Sequence, residues 1–168
     1  MSQNHFTLRF PVKSPADAKA LADQLPPMMP GLVQAADTIG TMHYSRFTIL
    51  SEKTLLFLGD FDGEFGQLMA ELAKHAGSVF DAIFRHVDDP PPVPVTDHAD
   101  AFVEWTAGHL LHAVNLYTAY PDVTAQEIKA LASAADVAGA SELHPNRIER
   151  GHMRMGSFRT PLAPAVAA

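Results

Sequence analysis

The chain has 168 residues, 47% of them hydrophobic, enough for one domain with a sizeable core and short for two. Its 12 Lys and Arg against 19 Asp and Glu give a formal net charge of −7, which opposes binding to nucleic acid or to an anionic membrane surface. With no cysteine, disulfides, thiolate nucleophiles, Cys-ligated zinc and iron–sulfur clusters are excluded together, and the sequence shows neither a basic leader followed by an apolar run nor a membrane-spanning stretch, so a cytoplasmic protein is expected.

The first element is a strand. In His5 to Val12 the apolar residues Phe6, Leu8 and Phe10 alternate with His5, Thr7 and Arg9, the period of a half-buried strand. A helix follows, with Ser14 as its cap, Pro15 at the first helical position, Asp17 completing a near capping box, and Ala18, Leu21, Ala22 and Leu25 at helical spacing. The stretch Pro26-Pro27-Met28-Met29-Pro30 is expected to break that helix and open a connection to about Thr41.

Met42 to Leu50 and Thr54 to Phe61 read as two strands joined by Ser51, Glu52 and Lys53, an antiparallel hairpin. From Phe65 to Val87 the apolar positions recur at three and four residues, the strongest helical signal in the chain. Prolines 90 to 92 and 94 then impose an extended connector. A shorter helix is expected over His98 to His112, a strand over Ala113 to Tyr120, and a last helix from a capping box of Thr124 and Glu127 with a Val123 to Ile128 staple. Residues 1–140 form a single domain in this reading, and 141–168 a C-terminal extension or tail.

Asp60, Asp62 and Glu64 around Gly63 raise the question of a cation site. Counted as a calcium loop from Asp60, the sixth position is Phe65 where a glycine is required, so the expectation is that Asp62 caps the following helix. His109 and His112 lie three apart without the neighbouring glutamate and four-residue spacing of a zinc protease motif, and no metal site is expected there. Arg147, Arg150, Arg154 and Arg159 crowd a segment that reads as solvated, with an anion clamp as the other possibility.

The more informative pattern lies on the sheet. If Phe6, Leu8 and Phe10 face the helices, then His5, Thr7 and Arg9 face away, joined by polar candidates His43, Tyr44, Arg46, Asn115 and Tyr117 from the other expected strands. His43 and Arg46 are three apart, so a regular strand points them oppositely and only a bulge reunites them. The ligand-binding candidates are therefore His43, Arg46, Tyr117, Arg9 and Tyr44. His43 would serve as base or ligand, Arg46 as a carboxylate holder and Tyr117 as a hydrogen-bond donor.

The order of elements is that of a ferredoxin-like βαββαβ fold, α+β in class, with an antiparallel sheet and extra helices. His43-Tyr-Ser-Arg-Phe47, Leu55-Leu-Phe-Leu-Gly-Asp-Phe-Asp-Gly63 and Tyr117-Thr-Ala-Tyr-Pro121 resemble a group of bacterial proteins without an assigned activity, over about residues 5–135. The order also resembles the dimeric α+β barrel superfamily, in which two such sheets pack face to face. That resemblance implies a homodimer enclosing a cavity for a small, aromatic or anionic molecule. Its alternatives are a non-catalytic interaction module, and a haem-dependent or oxygen-using enzyme, although no haem motif can be placed on these residues.

Overall fold

The computed structural model describes residues 3–137. By its internal contacts the chain divides into a compact unit, Met1–Ala132, and a second unit, Ser133–Ala168, of which only the first residues are described. The four arginines between 147 and 159 lie outside the described residues.

Strands β1 (Gln3–Pro11), β2 (Met42–Ser51) and β3 (Thr54–Asp62) form one antiparallel sheet in the order β1-β3-β2. Helices α1 (Pro15–Ile39), α2 (Phe65–Phe84), α3 (Ala99–Gly108) and α4 (Ala125–Val137) complete the described elements, with a 3-10 turn at Val95–Asp97. The first five elements run β-α-β-β-α, which fits the ferredoxin-like plan in part. The expected strand at 113–120 is absent, and that segment is irregular and largely exposed.

What takes its place is short. Arg9 donates its backbone N–H to the His109 carbonyl at 3.0 Å, Leu111 donates to Thr7 at 2.8 Å, and Leu8 bridges Leu110 antiparallel. Residues 109–111 thus occupy the outer edge of β1, where the βαββαβ plan sets its last strand, and the chain then leaves the sheet. Leu111, Val114, Leu116, Tyr117 and Tyr120 are all exposed, so no buried face holds this stretch in register. The same pairing ends α3 at Gly108, short of the expected His112.

Helix α1 is the larger departure, continuing through Pro26, Pro27 and Pro30 to Ile39. An interior proline costs about 3 kcal/mol, because it lacks the N–H and crowds the preceding turn. Here the carbonyls released by Pro26 and Pro27 belong to Ala22 and Asp23, both on the exposed side, where water can satisfy them. The opposite face buries Leu21, Leu25, Leu32 and Ala35 and half-buries Met28 and Met29. At about 1.5–3 kcal/mol for each large side chain, that burial outweighs the prolines. Gly40 ends the helix in the left-handed region at φ 75°, its N–H bonded to Ala36 O at 2.9 Å.

The core lies on one face of the sheet. Phe6, Leu8, Phe10, Leu55, Phe57 and Phe61 meet Leu68, Met69, Leu72, Phe80 and Phe84 of α2 and Phe102 of α3. The chain has ten phenylalanines, and all but Phe158, outside the described residues, join one network of ring contacts, from Phe6–Phe57 at 4.8 Å to Phe80–Phe102 at 4.9 Å. Gly59 makes room for the Phe6 ring. A Cβ there would stand 2.6 Å from the Phe6 ring and 3.0 Å from Tyr44 O.

Register assigns the opposite face without ambiguity. Across the strands its rows read His5, Asp60, Tyr44; then Thr7, Leu58, Arg46; then Arg9, Leu56, Thr48. Arg9, Tyr44, Arg46, Thr48 and Asp60 on it are exposed, and none of the described helices is long and apolar enough to cross a membrane.

Candidate functional site

The site begins with an irregularity in β2. Met42 pairs with Phe61 and Tyr44 with Asp60, so His43 is an extra residue, a bulge in the strand. Met42 is thereby sent into the core while His43 and Tyr44 both reach the wall of a pocket at the end of the open face.

His43 Nε2 lies 2.7 Å from Asp62 Oδ1, with the two side chains only 7% and 3% exposed. The other carboxylate oxygen, Oδ2, accepts the N–H of Ala125, the first residue of α4, at 2.7 Å. Asp62 therefore serves a helix N-terminus, but that of α4 and not, as expected, that of α2. The cap of α2 is Glu64, whose side chain makes no capping hydrogen bond. The physical reason is reach: Asp62 is still the last residue of β3, and its side chain turns towards the bulge beside it.

A carboxylate only accepts hydrogen bonds, so Nε2 of His43 is the donor to Asp62. Asp62 fixes the tautomer and orientation of the imidazole, as an acidic partner does for a catalytic or metal-bound histidine. Thr124 and Glu127 close the far side as the expected capping box. Glu127 Oε2 accepts from the Thr124 N–H and hydroxyl, each at 2.8 Å, and the Glu127 N–H donates to Thr124 Oγ1 at 3.3 Å. The backbone and hydroxyl bonds of Thr124 hold the Glu127 carboxyl below its ordinary value.

The pocket has a volume of about 260 Å³, just below the usual range of ligand sites. Its floor and near wall are Asn4, His43, Tyr44 and Asp60, and its outer wall is the 116–120 segment with Tyr117 and Tyr120. Gln3 ties that wall to β1, donating to Val123 O at 2.7 Å and accepting from the Thr118 hydroxyl at 2.6 Å. Asn4 donates to Gly63 O at 2.7 Å. A second depression of about 290 Å³ beside Pro90, Val93 and Pro94 offers less chemistry, since its Asp81 is already bonded to the Val95 N–H.

Of the five sequence candidates, His43, Tyr44 and Tyr117 come together here. Arg46 and Arg9 do not line the pocket; they stand one and two register rows away on the open face, exposed. Asn115 lies in the irregular 112–119 segment and is exposed. His109 stacks on Trp105 at 3.8 Å with its Nδ1 on Trp105 O, whereas His112 is exposed beyond the helix. Among the described residues no three His, Asp or Glu side chains gather as metal ligands.

Sequence reasoning missed Asp62 as the partner of His43, and missed Asp60 and Tyr120 as pocket groups. The Tyr-x-x-Tyr spacing was a visible signal for the second tyrosine. Nothing local signals a hydrogen-bonded pair whose members are 19 residues apart and meet only through a bulge.

A haem group, which the barrel resemblance brings to mind, does not fit these residues. The histidine nitrogen remote from the backbone is committed to Asp62, and Nδ1, close to Cβ, would force a broad macrocycle against the chain. No protein-family model, curated protein or solved structure matches the chain.

Proposed function

We propose that the protein is a small-molecule-binding α+β domain whose site is the pocket around His43, and that it works as a homodimer of the α+β barrel kind. The observation that carries the reading is the buried His43–Asp62 pair at 2.7 Å set in the wall of an open pocket. Burying an ionisable pair forfeits hydration and is a poor route to stability compared with apolar packing. Its use here is orientation: it holds the His43 ring at the edge of a space lined by aromatic and polar groups.

The pocket belongs to one chain. The face-to-face dimer is favoured by a separate observation, the half-buried Leu56 and Leu58 in the middle of a sheet face whose Arg9, Arg46 and Thr48 are exposed. Arg9 and Arg46 flank these leucines, so the patch has an apolar middle and a charged edge. The same surface could be buried against a different protein, the reading of a non-catalytic interaction module. Wild-type protein that is a stable monomer until another chain is added would favour that module.

The test of the pocket is a native mass spectrum of the protein as purified, followed by amide chemical-shift mapping with a library of fragments. The expected result is retained mass or shifts centred on residues 43–44, 60 and 116–120, lost in His43→Ala. Fragments that bind elsewhere, with this region silent throughout, would overturn the reading.

A further inference from the structure

The chain contains three tyrosines, and all three, Tyr44, Tyr117 and Tyr120, line this one pocket. They are 73%, 85% and 71% exposed. The contrast with phenylalanine is complete among the described residues, where every Phe ring is in contact with another ring and no Tyr ring is. None of the three hydroxyls makes a hydrogen bond within the described residues, so these rings do nothing for the fold that the phenylalanines do.

Asp60, opposite Tyr44 in register, lines the same pocket, exposed, with neither a hydrogen bond nor an ion pair among the described residues. Every other lining residue is neutral or, in His43, already committed to an acid, and no Lys or Arg of the described residues is in the lining. Three aromatic faces with an unpaired carboxylate attract positive charge by two routes, the ring quadrupoles and Coulomb attraction. An anionic ligand would meet the opposite field, strengthened by a chain of formal net charge −7.

We infer that the pocket takes a small organic ammonium compound, its charged head among Tyr44, Tyr117 and Tyr120 and against Asp60. This inference rests on the pocket being a ligand site and narrows its ligand from the aromatic or anionic class that the sequence suggested to a cation. Arg9 and Arg46, which would have served an anion, are outside the pocket.

The experiment compares choline and tetramethylammonium with 3,3-dimethylbutan-1-ol, the neutral isostere of choline, and with benzoate, by amide shift titration of the full chain. Choline and tetramethylammonium are expected to move the amides of residues 43–44, 60 and 116–120, and the neutral isostere to bind about fivefold or more weakly. Asp60→Asn and Tyr117→Ala should each weaken choline severalfold while Tyr117→Phe retains it, with unchanged far-UV spectra because both positions are exposed. Equal binding of the neutral isostere, or preference for benzoate, overturns the cationic ligand while leaving the pocket reading in place. Silence of these amides to all four probes overturns the cationic ligand, and silence to the wider fragment library as well overturns both.

Discussion

Two residues near the end of β3 carry opposite kinds of constraint. Asp62 answers two donors at once, the imidazole of His43 and the N–H of Ala125, each at 2.7 Å and all but excluded from water. Asp62→Ala strands both, and is expected to destabilise the fold by about 3 kcal/mol, the scale of a broken buried pair. His43→Ala leaves the Ala125 bond intact and should cost less, so urea denaturation of the two variants ranks them. Gly59 is constrained by contact. Its missing Cβ is where the Phe6 ring lies, at 2.6 Å, so Gly59→Ala must displace that ring or the strand and is expected to cost about 1–3 kcal/mol by the same measurement. A Gly59→Ala protein as stable as wild type would mean that the Phe6 ring moves freely.

At the level of elements, those with strong local patterns were legible in the sequence. The alternation of Phe6, Leu8 and Phe10 and the three- and four-residue recurrence from Leu68 to Phe84 each reflect one buried face, and the caps at Ser14 and Thr124 are read from four residues. What escaped depends on distant parts of the chain. Prolines inside α1 are tolerated because the face opposite them is buried by the sheet and α2, which no window of that helix reveals, and the 113–120 segment has strand-like residues without a buried face to hold them. Pro27 is exposed, so Pro27→Ala restores a helical N–H at no loss of packing and is expected to stabilise by about 2 kcal/mol in urea, after the greater freedom of the unfolded chain is subtracted. The two caps also set an acid limit. Hydrogen bonds from Ser14 and then His86 hold Asp17 below its ordinary 3.8, and those from Thr124 hold Glu127 below 4.5. Carboxyls so depressed contribute fully above those ordinary values and lose their contribution as pH falls through the lower folded values. The melting temperature should therefore be flat in their contribution from neutrality to about pH 5 and fall below about pH 4, less steeply in an Asp17→Asn, Glu127→Gln double variant.

The whole molecule poses the question of its uncovered sheet face. A three-stranded sheet with helices on one side leaves the other to water, and such a face is usually polar. Here the centre of the face is Leu56 and Leu58, with Arg9, Arg46, Thr7 and Thr48 around them and Tyr44 and Asp60 leading into the pocket. Apolar centre and charged rim are the anatomy of an interface. If two copies pair in this way, Leu58 lies at the middle of the contact, and Leu58→Glu sets two carboxylates against apolar surface. The proposal therefore expects wild-type protein to run as a dimer by light scattering at micromolar concentration, and Leu58→Glu as a monomer with an unchanged far-UV spectrum. The exchange should leave ligand shifts at residues 116–120 measurable, because the pocket wall is built from one chain. Wild type that is monomeric at high concentration would remove the barrel arrangement and leave the His43 pocket to be judged alone.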